Sequence, residues 1–278
     1  MQTHDRFIRI NGLTLHYREW GNPSAPAVVL LHGGSAHAHW WDFFGDAIAD
    51  TYRVVALDLR GHGDSEHADP PAYRIADYAA DLAAFADALP VPRFHLVGHS
   101  LGGIVATAYA GRAPERVRSL VIVDSQPRIS HAGAHYMLRL HNFPQLHYRD
   151  HAEAVRRFRL LPKATCAAPE VLAHVAAHSF RQVADGRWTL KFDRESLAHA
   201  QALDLTGVLA SLRCPLLFIR GEHSKLVSSR ALAVMRAAAP RAAAVDIPNA
   251  HHHVMLDDPP AFARVVREFL DHPRCSDP

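Results

Sequence analysis

The sequence predicts an α/β protein with a mostly parallel central sheet, helices on both faces of that sheet and one helical insertion. Three observations lead to this fold class. Short, almost wholly apolar runs recur along the chain, as expected of strands buried on both faces of a parallel sheet. Stretches with helical periodicity lie between these runs, and strands that alternate with helices indicate a sheet covered on both faces. The alternation stops once, in the middle of the chain.

The predicted elements begin with a hairpin. Asn11-Gly12 separates two apolar-alternating runs, 7–10 and 13–19, and this dipeptide favours a tight turn between antiparallel strands. Five apolar runs then predict buried strands, at 27–31, 54–59, 94–97, 120–123 and 216–219. Helical spacing predicts helices at 78–89 and 101–112, and an alanine-rich segment predicts a helix followed by the start of a strand at 231–244.

The interruption extends from Ser125 to Leu205, where no clear buried strand is found. Its amphipathic stretches and prolines predict a helical cap, residues 125–205, inserted in a core domain formed by residues 1–124 and 206–278. A few helices packed on one sheet face, with no role in a site, are the alternative. Four large apolar side chains of this segment are candidates to line a cavity, although such residues more often belong to a core: Trp188, Phe143, Phe158 and Met137.

Composition limits the classes of partner. About half of the 278 residues (49%) are hydrophobic, enough for a sizeable core, and the net charge is only +2 with no Lys/Arg run. Neither nucleic acid nor an anionic membrane is therefore expected as a partner. Residues 1–9 are polar, no apolar stretch has the length of a membrane span, and Cys166, Cys214 and Cys275 show no disulfide or metal spacing. These features favour a cytoplasmic location, and they do not predict the oligomeric state.

The strongest chemical motif is Gly98-His99-Ser100-Leu101-Gly102, which follows a predicted strand and precedes a predicted helix. This is the context of a nucleophile elbow, in which a tight turn presents the serine hydroxyl at the end of a strand. Gly98 and Gly102 would let the two backbones approach closely. A serine in an ordinary strand-to-helix loop is the alternative. We identify Ser100 as the candidate nucleophile.

Glycines also follow an earlier strand, in Leu31-His32-Gly33-Gly34. A turn of this kind can direct backbone N–H groups into a site, where they would hold an oxyanion together with the N–H group of the residue after the nucleophile. We assign Gly34 and Leu101 as these two donors. A plain turn between a strand and a helix is the alternative.

Three consecutive histidines, His251, His252 and His253, follow another predicted strand. A serine hydroxyl is a poor nucleophile at neutral pH and needs a neighbouring imidazole to accept its proton. Adjacent side chains in a loop rarely converge on one ion, and no carboxylate or cysteine at ligand spacing accompanies them. The sequence therefore predicts a catalytic base here, no metal site and no cofactor.

Together these motifs resemble the α/β-hydrolase superfamily in its single-domain, capped form, over nearly the whole chain. The resemblance rests on segments 32–34 and 98–102, on the loop from Asp58 to Ser65 and on the C-terminal histidine segment. In relatives, the base lies a fixed distance before an acid and a proline. The resemblance therefore implies that His252 is the base, that the loop from Asp58 to Ser65 is architectural and that Asp257 caps a helix.

The sequence departs from this family in the acid that orients the base. Most relatives have an aspartate after the strand that follows the cap, where this chain has Ser224. Some branches place the acid after the strand that precedes the cap, which here ends at Asp124. The resemblance thus implies Asp124 as the acid. Glu222 is its rival, and a helix cap or a loop hydrogen bond is the alternative role of Asp124.

The resemblance implies a serine hydrolase that cleaves a small or medium carboxylic ester, or a lactone, with water as the second substrate. Hydrolysis of a C–C bond in a ketone or diketone would use the same triad. A serine at the elbow argues against dehalogenases and epoxide hydrolases, which carry aspartate there. Two other classes stay open: a non-catalytic receptor for a small molecule, and cofactor-free oxygen chemistry.

Overall fold

The computed structural model describes residues 3–273, so Cys275 lies outside the described residues. Its strands are β1 (His4–Ile10), β2 (Leu13–Trp20), β3 (Ala27–Leu31), β4 (Arg53–Leu57), β5 (Phe94–His99), β6 (Val117–Val123), β7 (Arg128–Ile129), β8 (Phe180–Gln182), β9 (Trp188–Leu190), β10 (Leu203–Asp204), β11 (Leu216–Gly221) and β12 (Ala243–Ile247). Eight of them form one sheet in the order β1-β2-β4-β3-β5-β6-β11-β12. All five pairings from β4 to β12 are parallel. The predicted mostly parallel sheet is confirmed.

The helices are α1 (Asp42–Ile48), α2 (Ile75–Ala88), α3 (Leu101–Arg112), α4 (His131–His141), α5 (His151–Arg157), α6 (Pro169–His178), α7 (Glu195–Ala198), α8 (Thr206–Ser211), α9 (Ser229–Ala238), α10 (Val254–Asp257) and α11 (Pro259–Asp271). A short 3₁₀ turn, Ala38–Trp41, precedes α1. The helices predicted at 78–89 and 101–112 correspond to α2 and α3, and the segment 231–244 contains most of α9 and the start of β12.

The hairpin between β1 and β2 turns where the sequence predicts it. Asn11 and Gly12 have φ of 49° and 81°, the positive values that a two-residue turn of this type requires. Along β3, Val28 and Leu30 pack into the core on one face of the sheet, and Val29 and Leu31 into the core on the other. Successive side chains of a strand point to opposite faces, so a strand covered on both sides must be apolar throughout.

One core cluster supports a stability prediction. Phe262 on α11 is fully buried, and its ring lies edge-on against Phe44 with centroids 5.0 Å apart. We expect Phe262→Ala to lower the free energy of unfolding by about 3–5 kcal/mol, measured by urea denaturation. Val234→Ala, at a site that is 54% exposed, is the control and should cost no more than about 0.5 kcal/mol. Equal effects of the two substitutions would contradict this packing.

The segment 125–205 lies between β6 and β11 and contributes no strand to the eight-stranded sheet. It contains α4 to α7, and also two small antiparallel ribbons, β7 with β10 and β8 with β9, which the sequence analysis did not predict. Strands of two or three residues are too short to show a period of two. No helix within residues 3–273 has the length and apolar character needed to span a membrane.

The alternative that such side chains pack in a core holds for two of the four large apolar residues of this segment. Phe143 and Met137 are exposed, at 64% and 38%. Trp188 and Phe158 pack instead against a small core of the segment itself, formed by Tyr148, Ala154 and Phe180. The inserted segment must bury some apolar surface of its own. Amphipathic spacing alone does not tell whether an apolar side chain lines a cavity or packs in such a core.

Candidate active site

Ser100 occupies the turn between β5 and α3 with φ of 51° and ψ of −117°, a strained conformation for a residue other than glycine. The surrounding backbones are too close for side chains. A Cβ atom added at Gly98 would lie 2.3 Å from the carbonyl oxygen of Gly102, and one added at Gly102 would lie 2.4 Å from that of Leu31. The two glycines therefore permit the elbow, and the turn holds the serine at the carboxyl end of the sheet.

The loop after β3 lies directly beside this turn. A Cβ atom added at Gly33 would be 3.2 Å from the Cβ atom of Ser100, whereas one added at Gly34 would meet no atom within 4 Å. Within residues 3–273, neither the Gly34 N–H nor the Leu101 N–H has a hydrogen-bond acceptor. Leu101 is also the first residue of α3, where the helix dipole favours negative charge. Both N–H groups are therefore free, among the described residues, to donate to a bound group.

His32 fixes the shape of this loop, a role that the sequence analysis missed. Its Nδ1–H group donates to the carbonyl oxygen of Gly33 at 2.7 Å, and its Nε2 atom accepts from the Leu59 N–H group at 3.0 Å. Complete burial lowers the pKa of His32, so the ring is neutral and can both donate and accept. Its position just before the glycines was the signal that could have identified it.

The structure brings the predicted base and the predicted acid together. His252, in the loop after β12, has its Nδ1 atom 2.7 Å from Oδ2 of Asp124, which follows β6 directly. Both side chains are buried, and Asp124 adopts a positive φ of 40°. If Nδ1 donates its proton to this carboxylate, Nε2 is left as the basic nitrogen of the ring.

The other two histidines of the run have different partners. The N–H group of His251 donates to Oδ2 of Asp257 at 2.7 Å, and Nε2 of His253 donates to the carbonyl oxygen of Pro162 at 2.9 Å. Among the described residues, the run therefore reaches Asp124 by a hydrogen bond only through His252.

Ser224 stands where most family members have the acid, and here its side chain donates a hydrogen bond to Asp124. Its hydroxyl donates to Oδ2 of Asp124 at 2.6 Å, and the Gly221 N–H group donates to Oδ1 at 3.0 Å. Glu222, the rival acid, is exposed and accepts from the Asn249 N–H group at 2.9 Å. The geometry thus joins Asp124, and not Glu222, to the imidazole.

Burial dominates the electrostatics of the pair. It raises the pKa of Asp124 to about 7, against the lowering effect of the hydrogen bonds from Ser224 and Gly221. Burial, together with the neighbouring His253, lowers the pKa of His252 to about 3. Both shifts disfavour a charged imidazolium, so the free imidazole is the base form at neutral pH.

His99 is a second residue that the sequence analysis missed. Its Nε2–H group donates to the carbonyl oxygen of His252 at 2.9 Å, and the two rings lie 4.6 Å apart. Ring nitrogens of His99, His252 and His253 lie within 4.8 Å of one another, close enough to be considered as metal ligands. One nitrogen of each ring already has a hydrogen bond to Asp124 or to a backbone carbonyl, and these bonds position the loop beside the elbow.

The prediction that Asp257 caps a helix was wrong by one position. Asp258 caps α11 by accepting from the Ala261 N–H group at 2.9 Å. Asp257 instead accepts from His251 and from the Cys166 N–H group, the latter at 2.9 Å. It therefore ties the histidine loop to the inserted segment, which a local capping pattern cannot reveal.

Comparisons with known proteins agree with this architecture. A family model described as alpha/beta hydrolase fold matches residues 26–259. A 2-(acetamidomethylene)succinate hydrolase of Mesorhizobium japonicum is 30% identical over 271 residues, or 96% of this chain and 95% of that protein. A pimeloyl-[acyl-carrier protein] methyl ester esterase of Nitrosomonas europaea is 30% identical over 254 residues, or 90% and 96%. The crystal structure of an E-2-(acetamidomethylene)succinate hydrolase matches with a TM-score of 0.86 at 26% identity, covering 97% of this chain and all (100%) of that one.

Proposed function

This chain belongs to the alpha/beta hydrolase family and is a hydrolase, and from that premise we propose that it cleaves a small or medium carboxylic ester, or a lactone, through an acyl-enzyme on Ser100. The observation that carries the proposal is the hydrogen bond of 2.7 Å between His252 and Asp124, at the sheet edge where the elbow holds Ser100. Acyl transfer by a serine needs a base that an acid orients, and the bond between His252 and Asp124 supports that role for the pair.

In the proposed mechanism, Nε2 of His252 removes the hydroxyl proton of Ser100 as the oxygen attacks the ester carbonyl. Asp124 accepts the Nδ1–H bond and stabilises the imidazolium that forms. The Gly34 and Leu101 N–H groups hold the negative oxygen. Collapse of the intermediate breaks the bond to the alcohol, which takes the proton from His252. Water then attacks the acyl-enzyme by the same route and releases the acid and Ser100.

The comparisons support hydrolysis without selecting a substrate. The two named relatives act, by their names, on an acetamidomethylene succinate and on a pimeloyl methyl ester. Hydrolysis of a C–C bond could use the same residues, and a receptor could keep them without turnover. The ester proposal rests on the serine at the elbow, on the bond between His252 and Asp124, and on two N–H groups, of Gly34 and Leu101, that have no acceptor among the described residues.

A labelling experiment tests the proposal. We expect a fluorophosphonate probe to modify Ser100 with one equivalent per chain, detected by peptide mass spectrometry, and to abolish turnover of p-nitrophenyl esters of increasing acyl length. Absence of both labelling and ester turnover would overturn the proposal in favour of a receptor. Turnover of a diketone with none of any ester would favour C–C bond hydrolysis.

The pH dependence follows from the buried pair. When the pair of Asp124 and His252 takes up a proton, the imidazole can no longer act as a base. Burial raises the pKa of Asp124 to about 7, so this protonation occurs near neutral pH. We therefore expect kcat/KM to fall as the pH is lowered through about 7. In Asp124→Asn, the residual activity should show its acidic limb at lower pH, because burial lowers the pKa of the remaining imidazole. An unchanged limb in that variant would contradict the coupling.

Removal of the Ser224 hydroxyl should shift the pH dependence of kcat/KM in a defined direction. This hydrogen bond lowers the pKa of Asp124, so Ser224→Ala should move the acidic limb of kcat/KM to higher pH. We expect kcat above that limb to fall by less than about tenfold, the range of one hydrogen bond. Ser228→Ala, which removes a helix-capping hydroxyl four residues away, is the control and should leave the limb in place. A shift of the acidic limb of kcat/KM to lower pH in Ser224→Ala would contradict the hydrogen bond assigned to Ser224 and Asp124.

A further inference from the structure

A second cluster of titratable side chains lies where the inserted segment meets the core. His39 belongs to the 3₁₀ turn and Asp42 begins α1, while His174 and His178 belong to α6. None of the four has a hydrogen bond to Ser100, His252 or Asp124. Positions three or four apart on a helical turn share one face, so each element presents two potential ligands to the other.

The potential ligand atoms converge. Ring nitrogens of His39, His174 and His178 lie within 4.8 Å of one another. Oδ2 of Asp42 is 2.7 Å from Nε2 of His174 and 3.0 Å from Nδ1 of His39. Zinc ligands at 2.0–2.1 Å in a tetrahedron are separated by about 3.3 Å. The rings of His39 and His178 stack with centroids 3.7 Å apart, so at least one of them would also have to rotate to direct its lone pair at a shared ion.

The hydrogen bonds around the cluster resemble those that orient metal ligands. Nδ1 of His178 donates to the carbonyl oxygen of His174 at 2.9 Å, which leaves Nε2 with its lone pair. Oδ1 of Asp42 is buried and has no hydrogen-bond partner.

Arg18 is the competing cation. Its Nη1 atom is 2.9 Å from Oδ2 of Asp42 and also contacts Nδ1 of His39. The guanidinium lies over the ring of Trp20, and its Nε atom is 3.5 Å from a carboxylate oxygen of Asp5. It would therefore keep these two partners if a metal ion displaced it from Asp42. Its presence should weaken the binding of a divalent ion without abolishing it.

We propose that His39, Asp42, His174 and His178 form a binding site for a divalent transition metal, with zinc as the ion of matching chemistry, that fastens α6 to the core. Three imidazoles and one carboxylate suit zinc in a closed, four-coordinate structural site. No metal was expected from the sequence because neither the cysteines nor the three consecutive histidines have ligand spacing. The spacing of His174 and His178 on one helix was the available signal.

The test uses tag-free protein stripped with a chelator, since a histidine tag would bind the same ions. Zinc is titrated by calorimetry and Co²⁺ by its visible absorption, which is intense for tetrahedral sites. We expect one strong equivalent per chain, and a rise in Tm of roughly 5 °C when zinc exceeds its Kd a hundredfold. His174→Ala and His178→Ala should each weaken binding by at least 10–100-fold and remove the rise in Tm.

His135→Ala, at an exposed histidine of α4, is the matched control and should bind zinc as the unaltered protein does. Arg18→Gln should strengthen binding, which keeps the proposal testable even if an alanine variant folds poorly. Circular dichroism checks the fold of each variant. The proposal is overturned if the stripped protein binds no zinc, or if binding persists undiminished in His178→Ala, as it would for a site at His252 and His253.

Discussion

Ser100→Ala should reduce kcat on an ester by a factor on the order of 10⁶ while leaving the fold unchanged. The elbow holds the hydroxyl at a strained turn between β5 and α3, beside two N–H groups that have no acceptor among the described residues. Residues 98–102 contain no other hydroxyl or thiol that could form the acyl-enzyme. The loss is measured as kcat on a p-nitrophenyl ester, with circular dichroism and urea unfolding to confirm the fold.

The neighbouring buried serine gives a matched control. The Ser125 hydroxyl donates to the carbonyl oxygen of Ser100 at 2.6 Å, so Ser125→Ala removes a hydroxyl of the same site without removing the nucleophile. Its kcat should stay within about tenfold of the original, the range of one hydrogen bond. Retention of more than a few per cent of activity in Ser100→Ala would show that Ser100 is not the nucleophile.

Asp124→Asn should lower kcat by up to about 10⁴, because the asparagine keeps the shape of the side chain and removes its charge. The imidazole of His252 would lose both the control of its tautomer and the stabiliser of its positive form. Gly221 and Ser224 donate to different oxygens of the carboxylate, and asparagine keeps only one acceptor oxygen because its NH₂ group can only donate. The measurement is kcat on the ester used for Ser100→Ala.

Glu222→Gln is the control for this second prediction, since Glu222 is exposed and bonds only to the Asn249 N–H group among the described residues. It should cost far less than Asp124→Asn. Ser224→Asp combined with Asp124→Asn should recover part of the loss by restoring the usual family arrangement. Near-normal turnover in Asp124→Asn beside collapse in Glu222→Gln would move the acid to Glu222.

The sheet gives a structural reason to expect that a carboxylate at either position, 124 or 224, could orient the base. Strands β6 and β11 are parallel neighbours with Val123 opposite Ile219, so Asp124 and the loop that follows Gly221 leave the same edge of the sheet. The hydrogen bond between Ser224 and Asp124 shows how closely the two positions meet. A carboxylate from either strand end can thus reach the histidine loop that follows β12.

Local patterns in the sequence were sufficient for the strands of the large sheet, for α2, α3 and α9, and for the tight turn at Ser100. Strands buried on both faces need continuous apolar runs, and the turn at Ser100 needs glycines where a Cβ atom would collide with backbone. These constraints act between residues close in the chain or within one strand. The resemblance to a known family added His252 and Asp124, which neither periodicity nor composition assigns.

Tertiary structure decided what depends on contacts between distant residues. His252 and Asp124 are 128 positions apart, and only the packing of β6 and β12 in one sheet sets the distance between them. The same holds for the hydrogen bond between Asp257 and Cys166 and for the histidine cluster between the 3₁₀ turn and α6. A one-dimensional pattern shows which residues can form a hydrogen bond or bind an ion, but the direction of each side chain is set by the elements that pack around it.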